Sequence, residues 1–258
     1  MTSPEFAPAP GAAPLPVMVA AQARMETKLI LRNGEQLLIA IVIPLIVLIA
    51  GVHAFDNIDN SFPDSPINTL TPGVLALAVM STAFTSLAIA TGFERRYGVL
   101  KRLGTSPLPR TGLLAGKVLA LFWVEAVQLV VIGAVALWMG WRPDNGSTGV
   151  VGVVFAVLLG TAAFASWGLF VAGVLRAEAT LAVANLIYLL LLAGGAVVLP
   201  ASSYGSFGAV AKLLPSGALG EAIRDALIVG SFPAAHLLVL ALWSAAGILL
   251  AARTFKWE

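Results

Sequence analysis

The sequence predicts an all-α integral membrane protein with six transmembrane helices, and composition and periodicity together carry this prediction. The 258 residues are 59% hydrophobic and only 11% charged, with a mean hydropathy of +0.94. A soluble core of this size cannot bury so much apolar surface. The apolar residues also form runs of about 20, which is the length that a helix rising about 1.5 Å per residue needs to cross a hydrocarbon core about 30 Å thick.

Six runs meet or nearly meet this length, and each is interpreted as a transmembrane helix. They cover residues 37–54, 70–93, 118–141, 150–175, 181–199 and 234–252. The stretch 200–233 is too apolar for an ordinary loop, and Pro215, Gly217 and Gly220 interrupt it. We therefore expect a broken external helical hairpin before the last span, either re-entrant or interfacial. Ser216 is the predicted N-cap of an amphipathic helix within it.

The residues before the first run predict a tail and an interfacial helix. Residues 1–16 contain five prolines and no Lys or Arg, so they lack the basic start of a signal peptide and are typical of a disordered tail. Three basic residues then recur at every fourth position along one helical stripe: Arg24, Lys28 and Arg32. This pattern predicts an amphipathic helix over residues 17–33 that lies on the inner leaflet. A solvated lead-in is the alternative, because Glu26 interrupts the apolar face.

The basic residues also predict the orientation. With the amino terminus inside, all but three of the fifteen Lys and Arg residues lie on the cytoplasmic side, and the exceptions are Arg142, Lys212 and Arg224. Cytoplasmic loops of membrane proteins carry such an excess of basic residues. We therefore expect both termini to lie in the cytoplasm.

Composition argues against several other classes of function. The chain has no cysteine, and its two histidines, His53 and His236, are isolated, so no metal site is predicted. The net charge of +2 is too small and too localised for a nucleic-acid-binding face. Gly112 and Gly116 lie one residue too close together for a P-loop, and Val118 follows the lysine where that motif needs Ser or Thr. The chain thus has no predicted nucleotide or cofactor site of its own.

A dense basic segment between the second and third predicted spans is the most informative part of the chain. It consists of Glu94, Arg95, Arg96, Tyr97, Gly98, Val99, Leu100, Lys101, Arg102 and Leu103. The pattern predicts a short cytoplasmic helix over residues 94–105 that ends before Pro107. Tyr97, Leu100 and Leu103 would share one apolar stripe that contacts a partner. A simple basic anchor with no partner is the alternative.

The segment from Glu94 to Leu108 resembles the cytoplasmic loop of ABC-2 type permeases. The usual pattern there is E-R-E-x-G-T-L-E-x-L-x-x-T-P-L, followed by small residues and G-K, which Gly116 and Lys117 match. This copy is more basic than the pattern, and it departs from it at Arg96, Val99, Lys101 and Ser106. The hairpin spacing around residues 221–225 is also similar to the family's x-E-A-L-R.

The resemblance implies that residues 17–258 form the transmembrane domain of an ATP-driven exporter in the bacterial plasma membrane. Its size is most like that of the daunorubicin-resistance type of drug-efflux permease, which implies outward movement of an amphipathic drug or lipid. It implies three kinds of partner. The first is an ABC ATPase, in two copies or as a fused pair, which would use ATP and Mg²⁺. The others are a second permease half, identical or homologous, and membrane lipids. The basic segment would couple to the ATPase. Export of a lipid-linked polysaccharide is the alternative.

Polar residues within the predicted spans are candidates for a translocation pathway. Glu125 and Gln128 lie in the third span, where an ionised group costs about 2.5 to 3.5 kcal/mol. Glu125 could meet a cationic drug or a proton, or serve packing alone. Asn185 and Tyr188 share a face of the fifth span and could line a pathway or join helices. A different class of function, an intramembrane enzyme, would use Glu125 with His236 as acid and base, and both would need similar depth.

Overall fold

The computed structural model describes most of the chain, and all its regular structure there is helical. The described residues are 11, 13–32, 34–56, 65–103, 105–143 and 146–254. No strand occurs among them. Most of the predicted tail, residues 1–16, lies outside the described residues. Of its described residues, Leu15 and Pro16 already belong to the first helix.

The α-helices of the described chain follow one another with short connections. They are α1 (Leu15–Arg32), α2 (Gly34–Asp56), α3 (Pro66–Met80), α4 (Leu87–Arg96), α5 (Val99–Leu103), α6 (Arg110–Trp138), α7 (Ser147–Val174), α8 (Ala177–Gly194), α9 (Gly208–Ala211), α10 (Pro215–Arg224) and α11 (Ala234–Thr254). A π-helical segment, Ser81–Ser86, joins α3 to α4 without a break. A second, Asp225–Val229, continues α10, and a 3₁₀ segment, Ala201–Phe207, precedes α9.

Several of these helices are long and apolar enough to cross a membrane. Among the described residues there are five: Pro66–Arg96, Thr111–Trp138, Ser147–Val174, Ala177–Gly194 and Ala234–Thr254. They coincide with five of the six predicted spans. The first predicted span, 37–54, falls within α2, whose described apolar part, Ala40–Phe55, is shorter. The described part of the chain is therefore all-helical, with several apolar helices, as a multi-pass membrane protein requires.

The predicted helix over residues 94–105 is broken in the structure. α4 continues through Arg96, the chain turns at Tyr97 and Gly98, and α5 supplies a single further turn, Val99–Leu103. Gly98 has a φ of +69°, in the left-handed region, and this conformation ends a right-handed helix. The glycine therefore turns the chain sharply between α4 and α5.

Other helix ends differ from the predicted ones because polar residues and backbone contacts decide them. α6 begins at Arg110, well before the predicted span 118–141, since Lys117 interrupts the apolar run but not the helix. α10 begins at Pro215, and Ser216 is not its N-cap. The Ser216 hydroxyl instead donates to the Gly195 carbonyl at 2.9 Å, so the hairpin is held against the end of α8.

The helices form a bundle with two distinguishable ends. At one end, α4 and α7 finish and α6 and α8 begin. Side chains of α4 contact all three of the other helices there: Arg95 bonds the Gly173 carbonyl of α7, Glu94 pairs with Lys117 of α6, and Arg96 pairs with Glu178 of α8. At the other end, the backbone N–H of Arg142, just after α6, donates to the Asn68 side chain at the start of α3. α10 packs against α3, α7 and α11. The core is built mainly by α3, α4 and α7 around Phe84.

Candidate functional site

A buried ion-pair cluster joins three helices at the end of the bundle where α4 finishes. Lys117 Nζ in α6 lies 2.8 Å from Glu26 Oε1 in α1 and 2.6 Å from Glu94 Oε2 in α4. The Lys117 side chain is 3% exposed, and the Gln22 amide donates to Glu26 at 2.8 Å. We call Glu26, Glu94 and Lys117 the Lys117 cluster. It binds α1, α4 and α6 together.

Glycines on α6 allow this cluster to form. A Cβ atom at Gly116 would lie 2.6 Å from Gln22 Cγ, and one at Gly112 would lie 3.2 Å from a Leu15 methyl carbon. Side chains at these positions would push α1 away. Because α1 packs so closely along α6, Glu26 reaches Lys117. Gly116 and Lys117 are also the G-K pair that follows the loop pattern in the sequence.

Arg95 and Arg96 hold the same end of the bundle to α7 and α8. The Arg95 guanidinium donates to the carbonyls of Gly173 and Leu175, each at 2.5 Å. Carbonyls at a helix C-terminus lack partners within the helix, so this arginine satisfies two that would otherwise stay unpaired. Arg96 forms an ion pair with Glu178 in the first turn of α8. These two predicted coupling residues thus brace the loop internally.

The leucine side chains of α5 anchor this short helix to the core of the bundle. Leu100 is completely buried, and Leu103 packs against the same core cluster. The hydroxyls of Thr105 and Ser106 donate to the carbonyls of Arg102 and Leu103 at 2.7 and 2.6 Å, which ends the helix. The apolar stripe predicted to contact a partner is therefore turned inward at Leu100, because this side chain fills the chain's own core.

A small exposed surface remains on the outer side of this segment. The Tyr97 ring is 66% exposed, stacks on Phe93 with ring centroids 6.2 Å apart, and has the Arg96 guanidinium 5.9 Å from its centre. Lys101 and Arg102, in the helical turn that follows, are exposed as well. We call Tyr97, Lys101 and Arg102 the loop tip. It presents one aromatic ring and two cations next to the braced residues Glu94, Arg95 and Arg96.

The candidate pathway residues on α6 are both buried and hydrogen-bonded. Glu125 is 1% exposed and accepts a hydrogen bond of 2.6 Å from the Thr161 hydroxyl in α7, while its other oxygen has no hydrogen-bond partner among the described residues. Gln128 is fully buried, accepts from the Thr82 hydroxyl at 2.9 Å and donates to the Ala40 carbonyl at 2.9 Å. Both side chains join α6 to neighbouring helices.

The π-helical segment Ser81–Ser86 is a polar centre that was not predicted from the sequence. Thr82 bonds Gln128, and Ser81 shares a hydrogen bond with Tyr188 of α8. Asn185, predicted to act with Tyr188, is exposed instead. π-Helical turns occur frequently at functional sites. Four hydroxyl residues within six positions of an otherwise apolar run were the sequence signal for this centre.

A cavity connects the Lys117 cluster with this polar centre. Its volume is about 170 Å³, and its lining includes Glu26, Glu94 and Lys117 at one side and Thr82 and Ser86 at the other. The remaining lining is mostly apolar. The Lys117 cluster and the hydroxyls of the π-helical segment therefore face the same space between α1, α2, α4 and α6.

The hairpin before the last span is held by a second buried charged pair. Arg224 is 5% exposed; its guanidinium donates to the carbonyls of residues 196–198 at 2.5 to 3.4 Å and lies 3.1 Å from Glu221. Glu221 in turn accepts from the backbone N–H of Ala201 at 2.9 Å. Burial lowers the pKa of Arg224, and the Glu221 carboxylate opposes that shift. Arg224, which was counted among the external charges, is therefore a buried residue that holds the hairpin together.

The structure does not bring the proposed acid–base pair together. His236 Nε2 lies 3.6 Å from Asp225, at the end of the hairpin, whereas Glu125 bonds Thr161. Each group has its own partner on a different pair of elements. This arrangement gives the intramembrane-enzyme alternative no support.

The fold and this site define a class: a helical, multi-pass membrane protein whose basic loop is braced by buried ion pairs. A sequence profile of the ABC-2 type transporter family matches residues 19–228. The chain belongs to that family, and the resemblance seen in the loop is confirmed. It is also 27% identical over 194 residues to the daunorubicin resistance ABC transporter permease protein DrrB1 of Streptomyces coeruleorubidus, a match that covers 74% of this chain and 68% of that protein.

Proposed function

We propose that this chain is the permease half of an ATP-driven exporter in a bacterial plasma membrane, with both termini in the cytoplasm. A separate ABC ATPase, in two copies or as a fused pair, would hydrolyse ATP with Mg²⁺, and a second permease half would complete the pathway. Membership of the ABC-2 family supports this proposal, and so does the relative whose name describes a drug-resistance permease. The cargo would be an amphipathic small molecule.

The braced loop tip is the observation that carries the proposal. The exposed surface of Tyr97, Lys101 and Arg102 is small, yet Arg95, Arg96 and the Lys117 cluster connect its base to four other helices, α1, α6, α7 and α8. A loop that only set the topology would need exposed charge but no such internal bracing. A loop that transmits a push from a partner needs both an exposed contact surface and a stiff connection.

Coupling would then be mechanical. An ATPase that moves the loop tip would pull on α5, whose buried Leu100 carries the motion into the core. Through Glu94 and Lys117 the same motion would reach α1 and α6 around the cavity of about 170 Å³. Rearrangement of the helices around this cavity would open the pathway toward the other side.

Changes at the loop tip test this proposal. Tyr97→Ala combined with Arg102→Ala should weaken ATPase binding by about 5- to 100-fold, because an exposed aromatic anchor and an adjacent cation contribute much of the binding free energy at such interfaces. The measurement is copurification of the ATPase and its affinity for the purified permease. The permease itself should keep its thermal midpoint, since both side chains are exposed.

Trp138→Ala is the matched control for this experiment. Its side chain is 88% exposed but lies at the opposite end of α6 from Lys117, so its truncation should leave ATPase binding unchanged. ATPase binding that survives the loop-tip variant, or that fails equally in the control, would show that the partner contacts another surface.

Glu125 allows a test of the cargo. If its carboxyl group meets a cation or carries a proton, Glu125→Gln should reduce efflux of cationic compounds at least tenfold more than efflux of neutral ones. The glutamine can still accept the Thr161 hydrogen bond, so the fold should be retained. Vesicle transport of a matched cationic and neutral pair of compounds provides the measurement.

Thr161→Val serves as the comparison, because it removes the partner hydroxyl and keeps the carboxyl group of Glu125. Unchanged selectivity in Glu125→Gln would assign this residue to helix packing alone. Equal loss of both transport activities, together with a lowered thermal midpoint, would lead to the same conclusion.

A further inference from the structure

A large groove runs along the outer side of the contact between α1 and α6. Its volume is about 1260 Å³, which exceeds the roughly 300 to 1,000 Å³ of pockets for drug-sized ligands. Cations of α1 form one wall and apolar side chains of α6 form the other. The residues that define these walls are Arg24, Lys28, Arg32, Leu119, Phe122 and Trp123.

The cationic wall lies on the exposed side of α1. Arg24, Lys28 and Arg32 are exposed, whereas Gln22 and Glu26 on the opposite side are buried against α6. Within the described part of the chain, no acidic side chain forms an ion pair with any of the three cations. Three positive charges therefore follow one edge of the groove at a spacing of one helical turn.

The opposite wall is apolar and equally accessible. Trp123 is 68% exposed and Leu119 is 44% exposed, although both belong to a helix apolar enough to cross a membrane. Indole rings concentrate at the boundary between headgroups and acyl chains. A row of cations facing a row of apolar side chains matches a ligand with an anionic head and an apolar tail.

We propose that this groove binds an anionic phospholipid. The phosphate group would lie along Arg24, Lys28 and Arg32, and the acyl chains would lie along Leu119, Phe122 and Trp123. Clustered basic residues beside a membrane-spanning helix recognise such headgroups. A bound lipid would press α1 onto α6 and so hold Glu26 at Lys117. The site requires that the chain lies in a bilayer, but it requires neither the proposed ATPase nor the proposed cargo.

Native mass spectrometry of the purified full-length chain in detergent tests the site. The permease is titrated with phosphatidylglycerol and with phosphatidylcholine of identical acyl chains, and the two apparent affinities are compared. Each basic residue near a bound anionic headgroup contributes about fivefold. The variant R24Q/K28Q/R32Q should therefore bind phosphatidylglycerol about a hundredfold more weakly, with its affinity for phosphatidylcholine changed less than twofold. Lys28→Gln alone should give about a fivefold loss of affinity for phosphatidylglycerol. This milder variant provides the test if the triple variant does not fold.

Two further variants separate a discrete site from diffuse attraction. Ala21→Phe fills the groove without changing charge and should weaken both lipids at least tenfold. Arg142→Gln removes an exposed cation after the other end of α6, where the backbone contacts Asn68, and should change neither affinity. Equal affinity of the native chain for the two lipids would overturn the proposal. So would unchanged phosphatidylglycerol binding by Ala21→Phe, which would mean that the cations attract lipid without a groove site. Because no step involves transport, these outcomes do not depend on the proposed export function.

Discussion

Replacing Lys117 with alanine is expected to lower the free energy of unfolding by about 3 to 5 kcal/mol, because the change leaves Glu26 and Glu94 facing each other without a cation. The Lys117 side chain is 3% exposed and that of Glu26 10%, so bulk solvent screens the remaining carboxylates poorly. Thermal unfolding in detergent should show a midpoint lower by about 10 °C. Since α1, α4 and α6 meet at this point, ATP-driven transport should be lost as well.

A triple variant, E26Q/E94Q/K117M, separates the buried charge from the packing. Removing all three charges should recover most of the lost stability, since uncharged groups cost less to bury than unpaired charges. If the bracing transmits the motion of the loop tip, transport should nevertheless remain impaired. Lys212→Ala, an exposed lysine outside the cluster, is the control and should be neutral. A stable Lys117→Ala variant would show that the cluster does not hold these helices together.

Replacing Arg224 with alanine is expected to destabilise the opposite end of the bundle by a similar amount, about 3 to 5 kcal/mol. The guanidinium is hydrogen-bonded to carbonyls of residues 196–198 and pairs with Glu221, so its loss leaves buried acceptors and a carboxylate unpaired. Without the Arg224 contacts, the segment between α8 and α10 should open locally more often. Hydrogen exchange of residues 196–224 should therefore rise strongly.

The lysine variant and a distant arginine complete this test. Arg224→Lys retains the charge, but an ammonium group lacks the planar guanidinium that donates to several carbonyls at once. It should therefore recover only part of the stability. Arg142→Ala removes an exposed arginine after α6 and should leave both stability and exchange unchanged. Native exchange rates in Arg224→Ala would indicate that backbone packing alone holds the hairpin.

Much of the architecture could be predicted because a membrane imposes a simple rule on sequence. Long apolar runs must become helices, since backbone polar groups cannot stay unpaired in hydrocarbon. Five predicted spans accordingly coincide with long apolar helices. The family could be predicted because its loop pattern is local: residues 94–108, followed by Gly116 and Lys117, identify it without any knowledge of contacts.

The direction of side chains was not predictable in the same way. Helical periodicity placed Leu100 and Tyr97 on one stripe, but the left-handed turn at Gly98 rotates the helix that follows. Leu100 consequently enters the core, while Tyr97 stays exposed. Periodicity assumes one continuous helix, and a single glycine with a positive φ invalidates that assumption.

Sequence alone thus determined that this protein has a multi-pass helical architecture, that it belongs to the ABC-2 family and where its most basic loop lies, because each depends on composition or on neighbouring residues. Only the tertiary structure decided the partners of the charged groups. Lys117 meets Glu26 across about ninety positions of sequence, and Arg95 meets the end of α7 nearly eighty residues later. Such pairs depend on the distance between packed helices, which is a property of the assembled bundle. Close contacts at Gly112 and Gly116, for example, set the distance between α1 and α6.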